Sequence, residues 1–121
     1  MLERNLVMLV DDETDIISLF TEVLKANSIN VRGFSNPEEA LKEFEQNHEA
    51  YNLVISDIRM KPMSGLEFIK KLKKIDSKMK TILMTAFEIE GNQLKEIHSN
   101  EFFNKPIRMN DLVQVVKKYV D

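Results

Sequence analysis

The sequence predicts a doubly wound α/β domain, a five-stranded parallel sheet with helices on both faces. Three observations carry that expectation. The short runs Leu6-Val7-Met8-Leu9-Val10, Leu53-Val54-Ile55 and Ile82-Leu83-Met84 are apolar throughout, as strands buried on both faces require. Segments with helical periodicity separate them. The two kinds of segment alternate along the chain without a repeat, a low-complexity tract or a linker, so residues 1–121 form one domain.

The first strand, Leu6 to Val10, stops abruptly at Asp11-Asp12-Glu13. Ile16, Ile17, Phe20, Val23 and Leu24 then recur at i, i+1, i+4, i+7 and i+8, one apolar stripe of a helix. Ile29-Asn30-Val31-Arg32 alternates, which marks a half-exposed edge strand. Asn36 as cap, Pro37 in the first position and Glu38-Glu39 in the first turn open the second helix, with Leu41 and Phe44 facing inward. The third strand, Leu53 to Ile55, runs into Ser56-Asp57, and Phe68, Ile69, Leu72 and Ile75 stripe the third helix. The fourth strand ends in Thr85-Ala86. A fourth helix, roughly 88–99, is the weakest, because Gly91 interrupts it and only Ile89, Leu94 and Ile97 can form its stripe. Glu101 to Asn104 reads as a second short edge strand ending at Lys105-Pro106. Leu112, Val113, Val116, Tyr119 and Val120 make the fifth helix. Right-handed crossovers, with strands two and five at the edges, give the order 2-1-3-4-5 in a flavodoxin-like, three-layer α/β/α arrangement.

Composition removes several classes of function. The chain has 17 Lys and Arg against 20 Asp and Glu, a formal charge of −3, which argues against direct nucleic-acid binding. It has no cysteine, which excludes disulfides and cysteine-ligated metals. His48 and His98 lie far apart, make a poor metal site and fall on expected helix ends exposed to solvent. The longest apolar run is five residues, whereas a membrane span needs about 20 and a signal-peptide core about 7–15. A cytoplasmic domain that binds no membrane is the expectation. Lys70, Lys71, Lys73, Lys74, Lys78 and Lys80 suit a solvated face at the end of the third helix better than a nucleic-acid patch.

In a doubly wound sheet, ligands bind beyond the carboxyl ends of the strands. Asp11 and Asp12 follow strand one, Asp57 ends strand three, Thr85 ends strand four and Lys105 follows strand five. Three carboxylates, a hydroxyl and an ammonium should therefore meet in one crevice. Carboxylates so close repel unless a cation joins them, and hard oxygen donors suit Mg²⁺, with Mn²⁺ as the alternative. Taken alone, Asp11 and Asp12 could equally cap the first helix, which remains the simpler role for Glu13 and Asp15. Asp57, at the mouth of a central strand between Ile55 and Ile58, suits a reactive carboxylate. Such a group can attack phosphorus and form an aspartyl phosphate. Mg²⁺, the Lys105 ammonium and the Thr85 hydroxyl would then cover different phosphoryl oxygens, because phosphoryl transfer needs positioning and charge neutralisation.

Along essentially its whole length the chain resembles the receiver domain of two-component response regulators. The matching pieces are the apolar strand with Asp11-Asp12, Asp57 after Leu53-Val54-Ile55-Ser56, Gly65 eight residues later, Met84-Thr85-Ala86 and Lys105-Pro106. The resemblance implies a phosphoryl group taken from a phosphohistidine of a sensor histidine kinase or phosphotransfer protein. It implies Asp57 as the acceptor, Mg²⁺ held by Asp11, Asp12, Asp57 and the main-chain carbonyl of Arg59, and Lys105 and Thr85 on the phosphoryl group. It implies a cis Lys105–Pro106 bond, and Phe102 as the switching aromatic that follows Thr85 inward.

Three departures stand out. Pro62 lies five residues past Asp57 where the family usually has its proline at four, yet the spacing to Gly65 is kept, so the loop should close. Ser99-Asn100-Glu101 replaces the usual Gly-Ala before strand five, within a slightly short stretch from Thr85 to Lys105. Arg59 and Phe87 form a bulky pair along the path of the water that would hydrolyse the phosphoryl group. Expected output is contact with a downstream protein, as a monomer or a phosphorylation-dependent dimer. Two alternatives keep the fold with a different function. One is a scaffold that is never phosphorylated. The other is a Mg²⁺-dependent phosphohydrolase, whose Asp-x-Asp pattern is not met because Glu13 stands two residues past Asp11.

Overall fold

The computed structural model describes residues 4–86 and 99–120. The elements are β1 (Leu6–Val10), α1 (Thr14–Ala26), β2 (Asn30–Phe34), α2 (Pro37–Asn47), a 3₁₀ turn (His48–Ala50), β3 (Tyr51–Asp57), α3 (Gly65–Ile75), β4 (Lys80–Thr85), β5 (Glu101–Asn104) and α4 (Met109–Val120). The sheet is parallel throughout, in the expected order β2-β1-β3-β4-β5. The fourth helix expected from the sequence, Phe87 and His98 lie outside the described residues.

Successive side chains on a strand point to opposite faces, and here both faces are dry. Met8, Val10, Val54 and Leu83 pack with Phe44 of α2 and with Phe68 and Leu72 of α3. Val7, Leu9, Leu53, Ile55, Ile82 and Met84 pack on the other side with Phe20 and Leu24 of α1 and Leu112 and Val116 of α4. That two-sided burial is why the central strands are apolar runs, while β2 and β5 at the edges carry Arg32, Glu101 and Asn104.

Local signals set the helix starts. Asn36 Oδ1 accepts the Glu38 N–H at 2.8 Å and Pro37 opens α2, as expected. Ser64 caps α3 by accepting the Glu67 N–H at 3.2 Å. The α1 cap residue, Glu13, makes no side-chain cap bond; its own N–H is instead held by Asp11 Oδ1 at 2.9 Å. Asp11 thus does part of the capping work that was the alternative to a site role. Gly33 lets α1 lie close on β2, since a Cβ there would fall 2.4 Å from Ile17 Cγ2.

Two expectations need correction. His48 does sit at the end of α2 but is not free in solvent: its ring is half-buried, its Nδ1 lies 3.4 Å from Asp76 Oδ2, and it packs against Phe44. The lysine run is solvated except at Lys73, whose ammonium turns in and donates to the Met79 carbonyl, covering the turn into β4. Burial and the nearby Lys80 charge lower the Lys73 pKa.

Candidate functional site

The last residue of β3 and the loops after β1 and β5 bring Asp57, Asp11, Asp12 and Lys105 to one end of the sheet, as the strand order requires. Asp11 is fully buried and Asp57 is 5% exposed, whereas Asp12 faces solvent. One oxygen from each of the three carboxylates lies within 4.8 Å of the others. Lys105 reaches in from beyond β5, with 10% of its side chain exposed. Its Nζ donates to Asp11 Oδ2 at 2.6 Å and stands 3.6 Å from Asp57 Oδ1 and 3.8 Å from Glu13 Oε1. Thr85 is buried at the end of β4, one strand from Asp57.

Backbone bonds fix these positions. Asp57 pairs with Met84 in the ladder, and the next residue, Ile58, donates its N–H to the Met84 carbonyl at 2.9 Å. The Lys105 N–H donates to the Thr85 carbonyl at 2.7 Å, and the Lys105–Pro106 bond is cis as expected. The loop after Asp57 closes through the Gly65 N–H, 2.7 Å from the Ile58 carbonyl, despite the displaced proline. The Lys61–Pro62 bond is also cis, which the sequence did not suggest. Gly65 is required by close approach: a Cβ there would lie 2.0 Å from the Asp57 carbonyl oxygen. Met60 and Met63, within this loop, are buried and join the core on the α2–α3 side.

The electrostatics follow from burial. Desolvation pushes the Asp57 carboxyl up and the Asp11 charge adds to it; Lys105 and the Ile58 N–H act the other way, leaving a pKa of about 6 against an ordinary 3.8. Burial alone would lower the Lys105 pKa, but the hydrogen bond and charge of Asp11, with Asp57 and Glu13 beyond, raise it. One ammonium faces three carboxylates, so the pocket carries excess negative charge. Two buried oxygen donors and one at the solvent edge suit a small hard cation that keeps part of its water shell, the preference of Mg²⁺ and equally met by Mn²⁺.

Phe102 lies on β5, half-buried against the core on the α2–α3 side of the sheet. Just before it, the Ser99-Asn100 segment is tied to β4. Asn100 exchanges bonds with Thr81, its N–H to the Thr81 carbonyl at 2.9 Å and its Oδ1 to the Thr81 N–H at 3.0 Å. The Ser99 hydroxyl lies 3.0 Å from the Thr81 carbonyl. This side-chain lacing stands where Gly-Ala was expected. Arg59 is exposed beside the site.

Comparison with known proteins agrees with this arrangement. Residues 7–117 match the family model described as response regulator receiver domain. Sporulation initiation phosphotransferase F of Bacillus subtilis is 31% identical over 116 residues, covering 94% of this chain and 92% of that protein. YkoG, a transcriptional regulatory protein of the same organism, is 26% identical, and this chain spans 51% of its length. Among solved structures, the response regulator TrrA of Thermotoga maritima, in complex with Mg²⁺–BeF, is 34% identical with a TM-score of 0.85, over 95% of this chain and 98% of that one. A CheY-like receiver domain protein of Methanospirillum hungatei is 26% identical with a TM-score of 0.87, over 98% and 95%.

Proposed function

The chain belongs to the response regulator receiver family, and from that premise we propose that it is a phosphorylation switch with Asp57 as the acceptor. The observation that carries this is the Asp57 carboxylate, nearly buried at the end of the central strand between Asp11 and Lys105. An Asp57 oxygen attacks the phosphorus of a phosphohistidine. The P–O bond forms as the P–N bond breaks, and the imidazole leaves with the electron pair and takes up a proton. Asp11, Asp12, Asp57 and the Arg59 carbonyl are the groups that would hold Mg²⁺. When bound, the ion supplies positive charge against the phosphoryl oxygens.

The chain's own groups do the rest. Lys105 moves from Asp11 onto a phosphoryl oxygen, a short shift because its ammonium already stands 3.6 Å from Asp57. The Thr85 hydroxyl turns to donate to a second oxygen, and the Phe102 ring moves toward the space it leaves. Phe102 has no hydroxyl, so this movement is signalled by packing alone. Arg59 beside the acceptor hinders the hydrolytic water.

The protein so read is a signalling switch that turns over only its own phosphoryl group. It works in the cytoplasm between a sensor histidine kinase or phosphotransfer protein and a downstream protein, as a monomer or a dimer formed on phosphorylation. Among the described residues, no helix is long and apolar enough to cross a membrane. The relative named as a phosphotransferase favours a relay step for this chain as well.

Intact mass after incubation with Mg²⁺ and acetyl phosphate tests the assignment. A phosphoryl-sized gain is expected in the wild type and absent from Asp57→Asn and from samples without Mg²⁺. No gain in a wild type that demonstrably binds Mg²⁺, tested also with a histidine-phosphorylated donor, would leave a scaffold.

A further inference from the structure

The helices α2 and α3 lie side by side on one face of the sheet, and their outer surfaces carry opposite charge. From Glu38 to Glu49 there are five glutamates against Lys42 alone among Lys and Arg. Glu43 is spent inward, on Tyr51 and Arg32, but Glu38, Glu39, Glu45 and Glu49 are exposed. From Lys70 to Lys80 there are six lysines against Asp76 alone among acids. Lys73 is turned in, while Lys70, Lys71, Lys74, Lys78 and Lys80 are exposed. The one pair these outer charges make among the described residues is Lys71 with Glu67, at 3.8 Å. Lys70 and Lys74 stand four apart on α3 as like charges, an arrangement that works against the helix bearing them, and Glu49 follows Glu45 in the turn that ends α2. Apart from Lys71, both sets are thus without an ion-pair partner among the described residues, although the complementary set lies on the next helix.

We propose that this face is a self-complementary surface, on which α2 of one copy meets α3 of a second copy and α3 meets α2. A two-fold axis running parallel to the helices, above the groove between them, makes both pairings at once. A two-fold axis across the helices would set like charge on like charge. The surface is thus isologous, and it selects one of two orientations by repulsion in the other. It lies on a helical layer rather than at the carboxyl ends of the strands, so the pairing does not depend on the phosphorylation chemistry.

Size sets the strength. Each helix has 11 residues. At about 1.5 Å rise per residue and about 10 Å between axes, the two present roughly 300–400 Å² per copy. A stable interface takes about 800 Å² per partner and is poor in Lys and Glu at its centre. The association is therefore weak, seen at high protein concentration, and sensitive to salt, because the Debye length falls from about 30 Å at 0.01 M to about 3 Å at 1 M.

Sedimentation of the unphosphorylated protein in chelator, over a concentration series up to about 1 mM, tests this, with low salt set against roughly 0.5 M salt. At low salt the average mass should rise with concentration from 14.1 kDa toward twice that, and return to the monomer in high salt. Lys74→Glu with Lys78→Glu should abolish the rise, as should Glu45→Lys with Glu49→Lys. All four positions are exposed, so folding is checked by an unchanged melting temperature. An equimolar mixture of the two variants, one largely acidic on this face and one largely basic, should associate more tightly than the wild type. A monomer at every concentration in low salt overturns the proposal. So does self-association that survives in either reversed variant alone.

Discussion

Asp57 shows how a single residue is tuned by what surrounds it. Its pKa of about 6 exceeds the ordinary 3.8 because burial and the Asp11 charge both disfavour the anion. The sign follows: the folded state binds the proton more tightly than the unfolded state. This carboxyl is therefore least costly below about pH 4, and its cost is complete once the pH passes about 6. Two units correspond to on the order of 3 kcal/mol. Asp57→Asn should accordingly raise the melting temperature by several degrees at pH 7.5 in chelator, and the gain should shrink toward pH 4.5. An equal gain at both pH values would mean that packing rather than charge is responsible. The sequence indicated this residue by its place at a strand end. It did not indicate that Lys105 rests on Asp11 at 2.6 Å rather than on Asp57 at 3.6 Å, because that choice depends on where two loops 94 residues apart come to rest.

At the scale of elements, the strands and helices were legible wherever burial is uniform. The continuous runs of β1, β3 and β4 and the stripes of α1, α3 and α4 follow from facing one or two cores. The tie that locks α2 to the sheet was not legible. Glu43 Oε2 accepts from Tyr51 at 2.6 Å and from Arg32 at 2.7 Å, and Oε1 accepts from Asn47 at 2.8 Å. Burial would push the Glu43 carboxyl up, but the hydrogen bonds of Tyr51, Asn47 and Arg32 outweigh it and hold it low. Its contribution to stability is therefore present above about pH 4.5 and is lost as the pH falls through its lowered value. Tyr51→Phe removes the bond without changing the ring and should cost about 1–2 kcal/mol in denaturant unfolding at pH 7. The loss should be smaller in a Glu43→Gln background. Nothing in the spacing of Arg32, Glu43 and Tyr51 marks them as partners, since β2, α2 and β3 meet only when the crossover closes.

For the whole molecule, the excess negative charge at the strand ends should make folding responsive to metal. A ligand that binds only the folded state adds about 2.7 kcal/mol at a hundred times its dissociation constant. Mg²⁺ should therefore raise the wild-type melting temperature by several degrees and leave Asp12→Ala nearly unmoved. A similar rise in both proteins would place the ion elsewhere. The same global view separates what the sequence decided from what it could not. Hydrophobic pattern, read with the right-handed crossover rule, determined the order of the described elements, the strand order and the end of the sheet where Asp11, Asp12, Asp57, Thr85 and Lys105 gather. Burial is a one-residue property, so a linear string records it. Pairing is a property of two distant residues, and tertiary structure alone decided it. The inward turn of Lys73, the partnership of His48 with Asp76, the lacing of Ser99 and Asn100 to Thr81, and the contact of Gly65 with the Asp57 backbone all depend on distances that exist only once the chain has closed on itself.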